Sequence, residues 1–394
     1  MLEIKLKSIS DSFKGLALNS VIDTLAGWAT SNGLPFAVYR LPNQENFELL
    51  IGSTLTPVDD KDLSDIESGF LFSTYSGDHF FINEGVKFNS ADQKLIINSS
   101  WPTTIPLDKI GKSPVEWNPY VKQDIIHETK REEYIQYVKD SIAKINSSEL
   151  IKVVPSRTKK ITLGKNQSLS KIFLKLCDSY ENAFVSILST PDYGTWVGAT
   201  PEILIEVNHD GIFRTMSLAG TQPHTNDQAL HTLPWTQKEI EEQAMVSRYI
   251  INRFKEIRLR EFEEVGPRTV KAGNLAHLCS TFRVDTKATN YPDLGSTMLK
   301  LLHPTSAVCG MPKIPAQELL KSIEKHDRKL YSGYLGPVNM PEGSHIYVNL
   351  RCMEVLEEEA VLYAGAGVTA YSIPEDEWKE TELKCNTLLN IIQG

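Results

Sequence analysis

The sequence contains few cysteines, and those present form no pairing pattern. It has five cysteines in 394 residues, none of them in a Cys-x-x-Cys motif, and their number is odd. A disulfide framework of the kind found in small secreted proteins therefore does not fit. A reducing cytoplasm is the predicted location.

Long apolar runs and basic clusters are also missing. No stretch reaches the roughly 18 apolar residues that a membrane-spanning helix needs. The N-terminus alternates charge and lacks the apolar segment of a signal peptide. The formal net charge is −9, without the clustered basic surface that binds nucleic acid. We therefore predict no membrane and no nucleic-acid partner, and an anionic substrate would need local Lys, Arg or a metal ion.

The composition itself is that of an ordinary globular protein, with 41% hydrophobic and 23% charged residues. Short strand-like runs broken by Gly, Asn and Pro occupy much of residues 36–97 and 183–217. Helical spacing occurs at 12–30, at 236–261 and in the last twenty residues. Helices mixed with antiparallel strands, without regular alternation, predict an α+β fold. No exposed apolar stripe stands out, which favours a monomer.

Two predicted helices each carry a Glu-x-x-Glu pattern, Glu239 with Glu242 and Glu377 with Glu380. Two carboxylates one helical turn apart form a possible half-site for a hard cation, and Mg²⁺ uses few carboxylates and several waters. Neither pattern contains His or Cys, which argues against zinc.

These carboxylates also have ordinary interpretations. Glu380 and Lys384 have the spacing of a surface ion pair on a helix. Thr236 and Glu239 have the spacing of a capping box at a helix start. From the two helices alone, a solvated face and a metal site both stay open.

Lys152 and Glu202 are candidates for acid–base chemistry. Lys152 lies in a predicted strand, Leu150–Val154, where burial among apolar neighbours would make it lose its charge more easily and act as a base. Glu202 follows Pro201 at the start of another predicted strand, where it can be held as a proton donor. The alternatives are an edge-strand lysine and a solvated loop carboxylate.

Arg351 and two glycine-containing segments are candidates for ligand binding. Arg351 lies in the predicted strand 346–354, where an arginine needs a planar anionic partner, either a protein carboxylate or a substrate carboxylate. The segments Ala219–Thr221 and Gly365–Gly367 can bring backbone N–H groups close to a ligand oxygen. His277 is either a core histidine or a site residue.

Together these segments resemble those of the chorismate-utilising enzymes, which include isochorismate synthase, salicylate synthase, anthranilate synthase component I and aminodeoxychorismate synthase. No single block is specific, but ten in the family's order are. The blocks are Lys152-Val-Val-Pro-Ser-Arg157, Gly198-Ala-Thr-Pro-Glu202, Leu218-Ala-Gly-Thr221, Lys238–Val246, His277-Leu278, Leu302-His-Pro-Thr305, Asp327–Gly333, Arg351-Cys352, Gly365-Ala-Gly367 and Glu377–Thr381.

The resemblance implies a fold of two large antiparallel sheets packed face to face, with helices outside. It covers a chorismate-binding catalytic region over residues 125–394, and the β-rich residues 1–120 would contribute to the same fold. It also implies Mg²⁺ bound by Glu242 and Glu380, with Glu239 and Glu377 contacting the metal through water. The metal would hold the ring carboxylate of chorismate.

Arg351 and Lys384, with the backbone near Gly365, would hold the enolpyruvyl carboxylate of chorismate or its neighbourhood. The implied substrate-binding set is completed by Ala219, Gly220, Thr221 and His277. Two positions depart from the family pattern: Gln243 stands where many members have histidine, and Gln222 where many have arginine.

The residue at position 152 distinguishes the branches of this family. In the branch that resembles isochorismate synthase a lysine here activates water, whereas anthranilate synthases typically carry glutamine and use ammonia. Aminodeoxychorismate synthases commonly carry a nucleophilic lysine where this chain has Ala219. The predicted reaction is therefore Mg²⁺-dependent isomerisation of chorismate to isochorismate. Lys152 would activate the water that attacks C2, and Glu202 would protonate the departing C4 hydroxyl.

Three further points stay open at this level. A salicylate synthase would share the water addition and then eliminate pyruvate. An aminating subunit would need a glutaminase partner. Lys152 argues against an aminating function. Menaquinone and catechol siderophore pathways are both compatible with an isochorismate product.

Overall fold

The computed structural model describes residues 7–9, 15–58, 63–98, 118–122, 126–164, 168–224, 229–272 and 275–393. Within these residues the chain forms two large antiparallel sheets, one short two-stranded sheet and seven α-helices. The predicted α+β class is confirmed. No helix in the described part of the chain is long and apolar enough to cross a membrane.

The larger sheet has ten strands, and every neighbouring pair is antiparallel. In spatial order they are β1 (Lys7–Ile9), β8 (Lys94–Ile97), β7 (Val86–Asn89), β3 (Glu48–Ile51), β2 (Phe36–Arg40), β11 (Phe184–Thr190), β12 (Gly194–Thr200), β20 (Cys352–Val355), β21 (Glu359–Gly365) and β10 (Ser156–Thr162).

The second sheet has nine strands. In spatial order they are β15 (Glu263–Ala272), β16 (Leu275–Asp285), β14 (Ile212–Pro223), β13 (Ile203–Val207), β19 (Ser344–Val348), β18 (Tyr334–Val338), β5 (Gly69–Ser73), β6 (His79–Asn83) and β4 (Leu55–Pro57). A separate pair is formed by β9 (Lys152–Val153) and β17 (Gly310–Met311).

The seven helices of the described residues are α1 (Leu18–Ser31), α2 (Arg131–Ser147), α3 (Leu169–Ser179), α4 (Gln237–Glu256), α5 (Leu294–Leu302), α6 (Lys313–Ile323) and α7 (Pro374–Gln393). Five of them pack on the two large sheets, whereas α2 packs on α7, and α6 packs on the short β9–β17 sheet. The first helix begins at Leu18 rather than at residue 12, and residues 11–14 are outside those described. Pro374 is the first residue of α7, where its missing N–H costs no hydrogen bond.

Strand β2 shows how the layers are built. Phe36 and Val38 point to the cluster that packs under α1, α3 and α7, whereas Ala37 and Tyr39 point to the cluster between the two sheets. Alternate residues of a strand face opposite sides, so a strand covered on both faces is apolar throughout. This arrangement confirms the predicted face-to-face packing of the sheets.

Strands from the first hundred residues occur in both large sheets. β2 pairs with β11, and β5 pairs with β18. The predicted division between residues 1–120 and 125–394 falls partly on residues 123–125, which lie outside the described residues.

Two predicted strands differ from the structure at residues of interest. The predicted strand Leu150–Val154 is reduced to β9, Lys152–Val153, which belongs to neither large sheet, although the N–H groups of Ile151 and Val154 also donate to the neighbouring segment. Pro155 lacks the N–H needed to continue the ladder. The predicted strand 346–354 is interrupted, because Arg351 adopts φ 48°, which is outside the extended region.

Candidate active site

The predicted site residues meet at a cleft between the two large sheets. A cavity of about 60 Å³ opens there. It is lined by Glu202, Ala219, Gly220, Thr221, Glu242, His277, Arg351, Gly365, Glu380 and Lys384. Lys152, Glu239 and Glu377 do not line this cavity.

Glu202 and Arg351 reach the cleft because the chain passes from one sheet to the other at each of them. Glu202 lies between β12 of the ten-stranded sheet and β13 of the nine-stranded sheet, and Arg351 lies between β19 and β20 in the opposite direction. The two crossings are joined: the Val348 N–H donates to the Glu202 carbonyl at 3.0 Å, and the Ala199 N–H donates to the Arg351 carbonyl at 3.1 Å. Side chains at these crossings project into the space between the sheets.

Glu202 is a buried acid, with 5% of its surface exposed. Burial raises its pKa to about 7, although the positive charges of Lys152, Lys384 and Arg351 act in the opposite direction. Glu202 therefore holds its proton up to neutral pH. This is the state that a proton donor needs at the start of a reaction.

Lys152 is fully buried beside the cleft, and its Nζ lies 2.7 Å from Oε1 of Glu242. Nζ has no hydrogen bond of acceptable geometry within the described part of the chain, so this ion pair is what balances its charge. Glu242 lines the cavity and Lys152 does not. The candidate base, Lys152, is therefore ion-paired with Glu242, a carboxylate of the cavity wall.

Arg351 and His277 form a connected pair in the cavity wall. The Nδ1–H of His277 donates to the Gly220 carbonyl at 2.5 Å. Burial and the neighbouring Arg351 lower the pKa of His277 to about 3, so the ring is neutral. A neutral ring that donates from Nδ1 has an unprotonated Nε2, which accepts from Nη2 of Arg351 at 3.2 Å. His277 thus orients the arginine without competing for its charge.

Arg351 also donates to Oγ1 of Thr387 at 3.1 Å. Among the described residues no carboxylate lies within ion-pair distance of its guanidinium, so the predicted protein partner is not found. A buried guanidinium without a carboxylate suits a planar anion supplied by a ligand.

Lys384 and Glu380 lie one turn apart on α7 and are paired at 2.8 Å. Lys384 Nζ also donates to the Gly365 carbonyl at 2.7 Å. Burial acts to raise the pKa of Glu380, but the nearby Lys384 and Lys238 together outweigh it and the pKa is lowered, so Glu380 is an anion. Thr221 Oγ1 donates to Glu380 at 3.3 Å, from a bulge in β14 that begins at Gly220, whose φ is 68°.

Glu377 is fully buried and pairs with Lys238 of α4, so the two carboxylate-bearing helices are directly linked. Oε2 of Glu377 has no hydrogen-bond partner among the described residues. Burial and the nearby charge of Glu380 raise the pKa of Glu377 to about 7. Burial acts to lower the pKa of Lys238, but the charges of Glu377, Glu380 and Glu242 outweigh it and the pKa is raised.

Glu239 has a well-defined local role. Its carboxylate accepts from the N–H of Thr236 at 2.8 Å, and Thr236 caps α4 in return, which completes the capping box. Nε2 of Gln222 also donates to this carboxylate, at 3.1 Å. Gln222, one of the two departures from the family pattern, is therefore used to hold the start of α4.

The donor chemistry of this region suits Mg²⁺. Glu242 and Glu380 offer carboxylate oxygens to the cavity, and Glu377 has a buried oxygen without a partner. The oxygens are not assembled into a ready site, because no three His, Cys, Asp or Glu side chains of the described residues come together as a metal-binding group. Three of the carboxylates are instead held by lysines.

Gly367 is needed because it lies against both members of the Lys152–Glu242 pair. A Cβ at this position would lie 2.4 Å from Oε1 of Glu242 and 2.9 Å from Cε of Lys152. The added methyl group of Gly367→Ala would push Lys152 and Glu242 out of position. We expect it to lower the turnover number by about 10²-fold, since small displacements of reacting groups have effects of this size. The melting temperature should change little, because both contacts are with the ends of flexible side chains. Turnover within twofold of the unchanged protein would contradict this view of the site.

Sequence reasoning missed several residues at the cleft. Tyr331 and Tyr363 line it and stack with ring centroids 5.5 Å apart. Tyr331 lies in one of the matching blocks, Asp327–Gly333, and was a findable candidate for that reason. Tyr363 lies in a strand and carried no signal beyond its position two residues before Gly365. The link from Lys238 to Glu377 was also missed, because it joins residues 139 positions apart.

Comparisons with known proteins identify the family of this chain. The chain matches the model of a family described as chorismate binding enzyme over residues 72–393. It is 32% identical to the isochorismate synthase DhbC of Bacillus subtilis over 273 residues, which cover 66% of this chain and 67% of that protein. It is 28% identical to the isochorismate synthase EntC of Escherichia coli over 261 residues, which cover 65% of this chain and 66% of that protein.

The fold has a solved counterpart in MenF, the menaquinone-specific isochorismate synthase of Escherichia coli. The TM-score is 0.75 at 19% identity, and the match covers 99% of this chain and 95% of that one. The matched family model spans most of the chain and includes every residue that lines the cleft. This chain belongs to the chorismate-binding enzyme family.

Proposed function

We propose that this chain is an isochorismate synthase, which adds water to C2 of chorismate and releases the C4 hydroxyl. The observation that supports the proposal is that a buried lysine, Lys152, and a buried protonated carboxyl group, that of Glu202, lie at the same cleft. Lys152 is close enough to Glu202 to act on its ionisation. A base and an acid at one site are what water addition and hydroxyl departure require.

Substrate binding is assigned to the two cations of the cavity wall. Chorismate carries two carboxylates, and Arg351 offers a buried guanidinium without a protein carboxylate within ion-pair distance among the described residues. Lys384 lines the same cavity, and its Nζ contacts both Glu380 and the Gly365 carbonyl. These two side chains would hold the enolpyruvyl carboxylate, with His277 fixing the guanidinium.

Water activation is assigned to Lys152. Lys152 Nζ lies 2.7 Å from Oε1 of Glu242, so this contact has to separate before Nζ can reach the attacking water. Glu202, protonated below a pKa of about 7, would then give its proton to the departing C4 hydroxyl.

Mg²⁺ is the proposed cofactor. Glu242 and Glu380 would hold it, with Glu377 and Glu239 contacting it through water, and the bound ion would supply positive charge for the ring carboxylate of the substrate. The supporting observation is the partnerless buried oxygen of Glu377 beside two cavity carboxylates.

Purified protein with chorismate and Mg²⁺ tests the proposal, with products separated by chromatography. Isochorismate alone is the expected product. Pyruvate together with fluorescent salicylate would identify a salicylate synthase instead, and ammonia-dependent anthranilate would identify an aminating enzyme. Unchanged chorismate in the presence of Mg²⁺ would refute the activity altogether.

Several properties remain predictions from the sequence. They are a monomeric enzyme without a glutaminase subunit and a cytoplasmic location. The relatives include both menaquinone-specific and siderophore-specific isochorismate synthases by their names, so either pathway suits the proposed product.

A further inference from the structure

Three carboxylates of the proposed metal site are each held by a lysine ammonium. Lys152 Nζ lies 2.7 Å from Glu242, Lys384 Nζ lies 2.8 Å from Glu380, and Lys238 pairs with Glu377. The first two lysines already have proposed roles at the cleft. Lys238 does not line the cavity, and neither the acid–base steps nor substrate binding uses it.

The position of Lys238 places its charge between the two carboxylate helices. Lys238 and Glu242 are four residues apart on α4, so they share a face of that helix. Glu377 and Glu380 are three residues apart on α7 and also share a face. The Lys238–Glu377 pair joins these faces, and the charges of Glu377, Glu380 and Glu242 all act on the ammonium.

The Lys238 ammonium alone does not provide hydrogen bonds for both oxygens of Glu377. Lys238 contacts Oε1 of Glu377, while Oε2 of the same carboxylate is buried without a hydrogen bond of good geometry among the described residues, and the Ser372 hydroxyl is the nearby group that acts on this carboxylate besides charged side chains. Glu377 is 0% exposed, so its second oxygen has no access to bulk water. Such an unpaired buried oxygen is unfavourable and is suited to a cation of higher charge with bound water.

Lys238 can also leave its place more easily than the other two lysines. The exposed fractions of the side chains are 31% for Lys238, 20% for Lys384 and 1% for Lys152. A long flexible side chain at the surface can move its ammonium into solvent at little desolvation cost.

We propose that the Lys238 ammonium is the resident cation of this carboxylate cluster and that Mg²⁺ binds in competition with it. The inference rests on the Mg²⁺ site of the proposed function. In the metal-free protein Lys238 holds α4 and α7 together through Glu377. When Mg²⁺ binds, Lys238 releases Glu377 and turns towards solvent.

The test measures Mg²⁺ binding alone, by isothermal titration calorimetry of the full chain with MgCl₂ and without chorismate. Lys238→Met should tighten Mg²⁺ binding about tenfold or more, because it removes a positive charge that repels the ion at close range. Lys238→Gln, which keeps a hydrogen-bond donor for Glu377, should act in the same direction. Lys255→Met, at the exposed far end of α4, is the matched control and should leave the affinity unchanged.

Thermal unfolding gives a second readout. Without metal, Lys238→Met should melt below the unchanged protein, since Glu377 loses its partner, and Mg²⁺ should raise its melting temperature by more than that of the unchanged protein. A purely structural lysine would give equal or weaker Mg²⁺ binding in both variants, and that result overturns the proposal. Absence of Mg²⁺ binding in all four proteins also overturns it, while isochorismate formation is judged separately by the product assay.

Discussion

Replacing Lys152 with glutamine is expected to lower the turnover of chorismate to isochorismate by about 10²–10⁴-fold, the usual contribution of a general base. Water must lose a proton as it attacks, and glutamine cannot accept one. Glutamine occupies nearly the same volume and can still donate to Glu242, so the fold and the cleft should persist. Stopped assays of isochorismate at saturating chorismate, with a thermal melt of the same sample, measure both effects.

The control for this substitution is Lys159→Gln. Lys159 is a partly exposed lysine on β10 that pairs with Glu382 on the outside of the fold, and its substitution should leave turnover unchanged. The affinity for chorismate should stay within a few-fold in Lys152→Gln, since Arg351 and Lys384 are untouched. Near-normal turnover in Lys152→Gln would remove Lys152 from the mechanism.

Replacing Glu202 with glutamine is expected to lower turnover by a similar factor of about 10²–10⁴. Glutamine keeps the shape of the protonated acid, but it cannot release a proton to the departing hydroxyl. In the unchanged enzyme, kcat/KM should fall as pH rises through about 7, because the acid form of Glu202 is lost there. This decrease, which approaches tenfold for each pH unit, should be missing from the residual activity of the variant.

Stability separates this loss of function from unfolding. The pKa of Glu202 is raised to about 7 from an ordinary value of 4.5, so its favourable contribution is complete below pH 4.5 and is lost as pH rises through 7. Glu202→Gln should therefore be at least as stable as the unchanged protein at pH 8. Glu206→Gln, on β13, the strand that begins directly after Glu202, is the matched control for activity, and Glu206 pairs with Arg214. A kcat/KM that stays level from pH 6 to pH 9 would contradict the assignment of Glu202 as the acid.

The sequence predicts the local elements well where a single physical signal dominates. The Thr236 and Glu239 capping box forms as predicted, and Pro374 starts α7, because both depend on neighbouring residues only. The strand around Lys152 was predicted too long, although its burial was predicted correctly. An apolar run of five residues does not specify which sheet it joins or where a proline ends it.

The position of Arg351 could not be predicted from alternation. The segment 346–354 has the pattern of one strand, yet β19 belongs to one large sheet and β20 to the other. The turn between them requires φ 48° at Arg351, a conformation that depends on how the sheets are packed. Glu202 is placed in the same way, at the opposite crossing.

The sequence by itself determined the α+β class, the helices that carry the carboxylates and the chemical types of the site residues. It did so because helical spacing, capping and side-chain chemistry are local properties of the chain. Only the tertiary structure decided which lysine forms an ion pair with which glutamate. The pairs Lys152–Glu242 and Lys238–Glu377 join residues 90 and 139 positions apart, and their geometry depends on how α4 and α7 dock beside the cleft. The ion pairing of Lys152 and of the carboxylates in the proposed metal site therefore depends on how the whole chain packs.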